Sequence, residues 1–321
     1  MKSIALVVLY FGKIPDYAKL FFYSLQYNSS IDVLLFTDQE LESGSNNLII
    51  YHTTFDKIKK RIQDKFDFNI VLEKPYKLCD FRPAYGYIFE DELKKYDFWG
   101  HCDLDMVLGN IRSFLSEDVL NKYDKIYQHG HLCLYRNTEI NNKLFMAKVG
   151  MDYKAVFTTP VNCVFDEVKG MQSKCDLLNV RTYKRRDCAD ISPWHDSFIR
   201  VESYLSNLEK EQFNYREQVF YWEEGHLYRA YVSGDNIFQD EFNYLHFQKR
   251  KMPLYFDAIK HIPEAFYITR DGALMKEKGA LPDLELIKKY NGMRKWKEFK
   301  KNCGYQKYVW IRRLKKYLLK C

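Results

Sequence analysis

Apolar segments of strand length alternate with helix-like segments along the first part of the chain. The predicted strands are residues 4–11, 33–36 and 48–51, and the predicted helices are residues 17–27 and 55–66. Strands that alternate with helices build βαβ units, because parallel strands need a long crossover connection. We therefore predict an α/β fold, with a Rossmann-like, mainly parallel sheet flanked by helices.

The composition suits a folded cytoplasmic protein. Of 321 residues, 46% are hydrophobic and 17% aromatic, which is enough to bury a large core. The eight cysteines are scattered without a Cys-x-x-Cys pair, which argues against a disulfide framework and a zinc cluster. The apolar start lacks a signal-peptide cleavage site, and all apolar runs are far shorter than about eighteen residues, so we expect no bilayer-spanning segment.

Two aspartates, Asp103 and Asp105, follow a short apolar run that contains Phe98 and Trp99. In an extended strand, residues two apart project to the same face. Mg²⁺ and Mn²⁺ are commonly held by one or two carboxylates while phosphate oxygens fill other positions. Because open α/β sheets bind ligands at the carboxyl ends of their strands, this pattern favours a metal site, with a solvated loop as the alternative.

Polar and aromatic residues also follow the first two predicted strands. Tyr10, Phe11 and Gly12 end the first strand, and Asp38 follows the second. An aromatic face and a carboxylate at one sheet edge would suit a base and a ribose. The chain has neither a G-x-G-x-x-G nor a G-x-x-x-x-G-K-[ST] sequence, and ordinary loop chemistry explains these residues equally well.

Asp80 and Arg82 precede a helix-like aromatic segment, about two dozen residues before the aspartate pair, and a surface ion pair is one interpretation of them. The segment from Lys77 to Arg82, taken together with Asp103 and Asp105, resembles the metal-dependent GT-A-fold nucleotide-sugar glycosyltransferases. The likeness covers roughly residues 4–250 and is greatest to bacterial members associated with capsule or lipopolysaccharide assembly.

This resemblance implies a Mn²⁺ or Mg²⁺ cofactor, a nucleotide-sugar donor, more specifically a UDP-sugar, and a glycan or lipid-linked oligosaccharide acceptor. By resemblance, Asp80 and Arg82 hold the donor sugar. His246 would complete the metal shell of Asp103 and Asp105, and Lys249 would meet the diphosphate. The strand after the acidic pair would line the donor or acceptor pocket, which makes His131 and Asn137 candidates.

Two further clusters are candidates for the acceptor side. Asp166 and Glu167 follow a predicted strand at 161–165 and would accept a proton from an acceptor hydroxyl if the transfer inverts configuration; an exposed acidic turn is the alternative. Trp194 and Asp196 would bound an acceptor site, because an aromatic ring can stack on a sugar face. The same segment could equally begin a helix.

The C-terminal region differs sharply in charge from the rest. Residues 287–321 contain thirteen Lys or Arg and one acidic residue, a net charge of +12, which leaves −5 for the remainder. Trp310, Leu314, Tyr317 and Leu318 fall on one helical face. We predict a domain at 1–285 and a basic amphipathic helical tail at 286–321, which binds the anionic inner face of the cytoplasmic membrane. A solvated helix is the alternative, and no nucleic-acid-binding fold accompanies the cations.

The resemblance implies a glycosyltransferase of the hexosyltransferase type that acts on a growing bacterial surface glycan. Two other classes remain compatible with the sequence. A metal-dependent phosphoesterase or nuclease could use the same carboxylates, and a non-catalytic glycan-binding protein could use the abundant aromatic residues.

Overall fold

The computed structural model describes residues 1–185, 187–191, 197–201, 214–248, 251–258 and 261–291. The chain divides into two compact units. The first unit contains Met1–Met106 and Asn110–Arg185, and the second contains Val107–Gly109 and Arg186–Cys321. The predicted domain 1–285 spans both, and its boundary with the tail stays a prediction.

The described residues form sixteen strands. They are β1 (Ile4–Tyr10), β2 (Ile31–Thr37), β3 (Leu48–His52), β4 (Phe98–Cys102), β5 (Met106–Leu108), β6 (Lys125–Ile126), β7 (Leu132–Arg136), β8 (Thr182–Tyr183), β9 (Cys188–Ile191), β10 (Phe198–Arg200), β11 (Gln218–Glu223), β12 (His226–Ser233), β13 (Asn236–Phe242), β14 (Tyr244–His246), β15 (Ala265–Thr269) and β16 (Gly272–Met275). The three predicted N-terminal strands are confirmed as β1, β2 and β3.

Short helices connect these strands. They are α1 (Ala18–Leu25), α2 (Phe55–Gln63), α3 (Tyr85–Ile88), α4 (Glu90–Leu93), α5 (Ile111–Phe114), α6 (Glu117–Lys122), α7 (Glu139–Asn142), α8 (Tyr153–Phe157), α9 (Ser173–Leu177) and α10 (Leu284–Asn291). Two 3₁₀ helices span Pro75–Ala84 and Leu144–Met146, and a π-helix spans Val168–Gln172. The sequence from Val107 to Leu115 also predicts a helix, and this prediction is wrong at its start, because Val107 and Leu108 belong to β5. A short apolar run does not distinguish a buried strand from a buried helix.

The first unit contains a seven-stranded sheet in the order β3-β2-β1-β4-β7-β6-β8. Strand β1 pairs in parallel with β2 and β4, and β2 pairs in parallel with β3. Strand β7 is antiparallel to β4 and β6, while β8 is parallel to β6. The predicted α/β class, a mainly parallel sheet flanked by helices, is confirmed. The strand order reverses between β1 and β4, and such a switch point is where open α/β sheets bind ligands.

The core of this unit lies against the sheet. All residues from Ile4 to Val8 are buried, as expected for a central strand covered on both faces. Ala5 and Val7 pack in one cluster with Ile58 and Ile62 of α2. Thr54 caps α2 by accepting a hydrogen bond from the Lys57 N–H (3.3 Å). Because Ile62 is fully buried, truncating it to Ala would cost about 2–5 kcal/mol.

The second unit contains two sheets. One has four strands in the order β10-β9-β14-β5, and the other is antiparallel in the order β13-β12-β11-β15-β16. Glu224 and Gly225 join β11 to β12 with φ angles of 47° and 88°, the positive values that a two-residue type I′ hairpin turn requires. Trp222, fully buried in β11, donates its indole N–H to the Leu108 carbonyl (2.9 Å).

Helix α10 begins before the predicted tail and continues into it. Ile287 is fully buried and packs with Val219, Tyr221 and Tyr267 of the antiparallel sheet. Residues 286–291 of the predicted tail therefore belong to this helix. Residues 292–321 lie outside the described residues. Within the part of the chain that the structure describes, no helix is long and apolar enough to cross a bilayer.

Candidate functional site

Asp103 and Asp105 lie in the bend that follows β4. The strand ends at Cys102, so the prediction that both aspartates lie on an extended strand is wrong. The bend nevertheless brings a carboxylate oxygen of each within 4.8 Å of the other. Leu104, between them, is buried. Both carboxylates therefore lie at the carboxyl end of β4, beside the switch point in the strand order.

Arg82 joins this bend to a third carboxylate, that of Asp166. Its Nη2 donates to Asp103 Oδ1, and its Nη1 donates to Asp166 Oδ2 and to the Gly130 carbonyl, both at 2.9 Å. The Arg82 side chain is 14% exposed, and the side chains of Asp103 and Asp166 are 24% and 4% exposed. Charge-assisted hydrogen bonds are strengthened by partial burial. Arg82 therefore holds two acidic groups at fixed positions on either side of its guanidinium.

Arg82 is carried by the ten-residue 3₁₀ helix Pro75–Ala84, which is long for its type. With three residues per turn, side chains three apart lie directly above each other. Lys77 and Asp80 form such a pair, with Nζ and Oδ2 separated by 2.7 Å, and both side chains are almost fully buried. The helix thus uses one face for a buried ion pair and another for Arg82.

The Lys77 and Asp80 pair holds the loop at 161–165. Asp80 accepts hydrogen bonds from the main-chain N–H groups of Cys163 and Phe165 (both 2.8 Å), and Lys77 donates to the Val161 carbonyl (2.5 Å). The strand predicted at 161–165 is therefore wrong, because these backbone groups bond to side chains. Asp80 is fully buried, so it does not contact a donor sugar as predicted. It positions the loop at 161–165 instead.

Asp166 lies at the end of this loop and is buried, so the alternative of an exposed acidic turn does not apply to it. Burial raises the pKa of Asp166 to about 7, although the neighbouring Arg82 acts in the opposite direction. A π-helix follows directly. Such turns are rare in proteins as a whole, and those that occur are often found at functional sites. Its Gly170 is required, because a Cβ there would lie 2.2 Å from the Phe165 carbonyl oxygen.

The ends of β1 and β2 share an edge, as predicted. The Gly12 N–H donates to Asp38 Oδ1 (3.0 Å), and Gly12 has φ of +91°, which favours glycine. Hydrogen bonds from Gln39 and Gly12 lower the pKa of Asp38, so its exposed carboxylate is ionised. Phe11 makes an edge-to-face contact with Phe55 at 5.7 Å between ring centroids. This edge offers a carboxylate and an aromatic surface.

Two tyrosines extend the same edge towards the aspartates. Burial, followed by the charge of Asp105, raises the pKa of Tyr10, and the same two causes raise the pKa of Tyr17 to about 12. Both phenols therefore remain protonated at neutral pH and can donate hydrogen bonds. Sequence reasoning placed Tyr17 in a helix and gave it no role; its position just before α1, after the turn that follows β1, was the available signal.

His131 and Asn137, the two candidates from β7 and its flanks, are separated by the structure. The His131 carbonyl accepts from the Asp103 N–H (3.0 Å), which places it beside the acidic bend. Asn137 follows the far end of β7, where its amide donates to the Leu93 and Tyr96 carbonyls (2.8 and 2.9 Å). Because β7 runs antiparallel to β4, its two ends lie at opposite edges of the sheet. The pocket role predicted for Asn137 is therefore wrong.

Gly130 was also missed by sequence reasoning. A Cβ at Gly130 would lie 2.7 Å from Asp166 Oδ2 and 2.8 Å from Glu167 Oε1. Its carbonyl also accepts from Arg82. The signal was its place between His129 and His131, since a glycine between polar residues often marks a close approach of backbone to another group.

The residues of the acidic bend fit a hard divalent cation, since two carboxylates supply oxygen donors close to each other. His246 belongs to the second unit, where its Nδ1 lies 3.3 Å from Asp190 Oδ1. Its place in the metal shell stays a prediction. Trp194, Asp196 and Lys249 lie outside the described residues, so their roles stay predictions.

Comparisons with known proteins give partial likenesses and one family. No curated protein matches this chain significantly. Apo mouse xyloside xylosyltransferase 1 is 11% identical, with a TM-score of 0.30, over 57% of this chain and 77% of that one. The glycosyltransferase GlyE of Streptococcus pneumoniae TIGR4 is 13% identical, with a TM-score of 0.27, over 58% of this chain and 45% of that one. Residues 6–277 match a family described as a family of unknown function, DUF6625, and the chain belongs to this family.

Proposed function

We propose that this chain is a divalent-metal-dependent glycosyltransferase of GT-A-like fold that uses a nucleotide-sugar donor, in particular a UDP-sugar. One observation carries the proposal. Asp103 and Asp105 follow β4 beside the switch point in the strand order, and Arg82 is bonded to Asp103 at the same place. Carboxylates for a cation and an anchored guanidinium together suit a diphosphate that bears a sugar.

Each group at this edge has a role in the proposal. Asp103 and Asp105 hold the cation, with His246 as the predicted third ligand. Asp38 accepts hydrogen bonds from the ribose, and Tyr10, Phe11 and Gly12 border the nucleoside. Arg82 faces the diphosphate and donor sugar, with Lys249 as the predicted second cation. A bound divalent cation would neutralise the charge that develops on the leaving diphosphate.

Fewer residues are assigned to the acceptor site. A glycan or lipid-linked oligosaccharide of the bacterial surface, such as capsule or lipopolysaccharide, is the proposed acceptor class. His131 lies beside the acidic bend and borders this pocket, and Trp194 and Asp196 are its further predicted residues. Glu167 or Asp166 would serve as the base of an inverting transfer. Asp166 accepts a hydrogen bond from Arg82, which fixes the position of its carboxylate.

The test is donor hydrolysis and thermal stabilisation with a panel of nucleotide sugars, with Mn²⁺ and with excess chelator. A ligand that binds only the folded state raises the apparent melting temperature. We expect Mn²⁺-dependent stabilisation by a UDP-sugar, and loss of turnover in Asp103→Asn and Asp105→Asn. Asp118→Asn, an exposed carboxylate in α6, is the matched control and should behave as the wild type.

Three outcomes would reject the proposal. Full turnover by both aspartate variants in chelator would remove the metal assignment. Metal-dependent cleavage of a polynucleotide or simple phosphodiester, without sugar transfer, would assign a phosphoesterase or nuclease. Metal-independent glycan binding without turnover would assign a binding protein.

A further inference from the structure

Arg82 places a positive charge beside Asp103, one of the proposed metal ligands. One edge of its guanidinium bonds Asp103, and the other edge bonds Asp166 and the Gly130 carbonyl. The two edges of a guanidinium are rigidly linked, so one partner can be exchanged while the other is retained. A lysine has no such second edge. The arrangement therefore has one bond to a proposed metal ligand and two bonds to groups outside the metal site.

We infer that Arg82 and the divalent cation compete for Asp103, and that Asp166 and Gly130 hold the displaced guanidinium beside the occupied site. The inference rests on the proposed function, because it takes Asp103 and Asp105 as metal ligands. It assigns Arg82 as the residue that sets cation affinity and Asp166 as its anchor. After the exchange, Nη2 of Arg82 is available to an anionic donor group.

The electrostatics support competition. A divalent cation and a guanidinium close to one carboxylate repel each other, and this repulsion is strong where water is largely excluded. Asp103 and Arg82 are both less than one quarter exposed. Cation binding must therefore weaken the bond between Arg82 and Asp103, and removing Arg82 must strengthen cation binding.

The anchor is itself held by the fold. Asp166 is 4% exposed and ends the loop whose Cys163 and Phe165 N–H groups donate to the buried Asp80. Asp80 in turn is paired with Lys77 on the same helix as Arg82. Guanidinium and anchor are thus connected through a short, buried path, which keeps Arg82 in place when its bond to Asp103 is broken.

The test is a titration with Mn²⁺ alone, at about pH 8, followed by the electron paramagnetic resonance signal of unbound Mn²⁺ or by calorimetry. Arg82→Met should bind Mn²⁺ about tenfold more tightly than the wild type, because the competing charge-assisted bond is gone. Asp166→Asn should bind more weakly, because Arg82 loses its charged anchor and then bonds Asp103 more strongly. Arg82→Lys should lie between the wild type and Arg82→Met.

Arg61→Met is the matched control. Arg61 bonds Glu92 through both Nη atoms at 2.6 Å on α2, so this variant also removes one positive charge and one ion pair from the first unit. Its Mn²⁺ affinity should equal that of the wild type. Melting curves without metal verify that each variant is folded, and Arg82→Lys tests the inference if Arg82→Met does not fold.

The opposite directions distinguish competition from a structural role, because a purely structural loss would weaken Mn²⁺ binding in both variants. Weaker or unchanged binding by folded Arg82→Met would overturn the inference while leaving the metal site intact. Failure of the wild type to bind Mn²⁺, or binding that Asp103→Asn leaves unchanged, would instead reject the proposed metal site.

Discussion

The Lys77 ammonium lies 2.7 Å from the carboxylate of Asp80, and both side chains are almost completely removed from water. Lys77 also donates to the Val156 and Val161 carbonyls, and Asp80 accepts two main-chain hydrogen bonds. A buried ion pair tolerates the loss of water only when its remaining donors and acceptors are satisfied, as they are here.

Removing one partner of this pair should be strongly destabilising. Lys77→Met or Asp80→Asn should each lower the free energy of unfolding by about 3–5 kcal/mol, because the other charge is left buried without its partner. Urea unfolding followed by tryptophan fluorescence measures this loss. Lys143→Met, which breaks an exposed pair with Glu139, should cost at most about 1 kcal/mol. Equal losses at the two sites would show that the Lys77 pair is hydrated.

The stability of the protein should depend on the ionisation of Asp166. Its pKa is raised from 3.8 to about 7, mainly by burial. The folded state therefore keeps a proton that the unfolded chain loses, and the stability from this proton decreases as the pH rises between about 4 and 7. The free energy of unfolding of the wild type, relative to Asp166→Asn, should fall from about pH 5 to about pH 7 and then level off. A rise over this range would show that Arg82 lowers the pKa instead.

Gly130→Ala should move the Asp166 carboxylate, because the new methyl group would lie 2.7 Å from Oδ2. The displaced carboxylate can no longer anchor Arg82, so the variant should bind Mn²⁺ more weakly, as Asp166→Asn does. Calorimetric titration measures the change. Gly44→Ala is the control, since its methyl group would meet one flexible side-chain atom, Gln26 Nε2, at 3.4 Å. Wild-type affinity in Gly130→Ala would contradict the proposed anchor.

The basic tail should bind anionic membranes independently of the folded units. Truncation must follow Asn291, because Ile287 is buried in the second unit. The full chain should sediment with anionic vesicles and dissociate as salt is raised, since exposed charges are screened over about 8 Å at physiological ionic strength. The truncated chain should stay in solution yet hydrolyse a soluble donor. Sedimentation of the truncated chain to the same extent would assign the contact to the folded units.

The N-terminal half of the first sheet could be predicted because its signals are local. The strand at 4–11 and the helix at 55–66 have the length and periodicity of their elements, and the observed bounds are within a few residues. The direction of β7 could not be predicted in this way. Its antiparallel pairing is decided by long-range contacts, and that one unknown separates Asn137 from His131.

The proposed metal-ligand residues of the site could be predicted from the sequence, but the hydrogen bonds that join them to other residues could not. Two closely spaced aspartates after an apolar run indicate a cation site from chemistry alone. The link from Arg82 to Asp166 joins residues 84 positions apart, and no local pattern encodes it. The hairpin at Glu224 and Gly225 does have a local signal, because a polar residue followed by glycine suits the positive φ angles of a two-residue turn.

The second unit is discontinuous along the chain, because Val107–Gly109 belongs to it while its other residues begin at Arg186. A ribosome completes these three residues long before the rest of the four-stranded sheet exists. Strand β5 therefore cannot pair with its neighbour β14 until more than one hundred further residues have been synthesised. A fragment that starts after Arg185 would lack β5 and leave an edge of β14 unpaired. An unpaired strand edge can pair with another chain, so this fragment should aggregate. The two units can be studied separately only if residues 107–109 are grafted back onto the second.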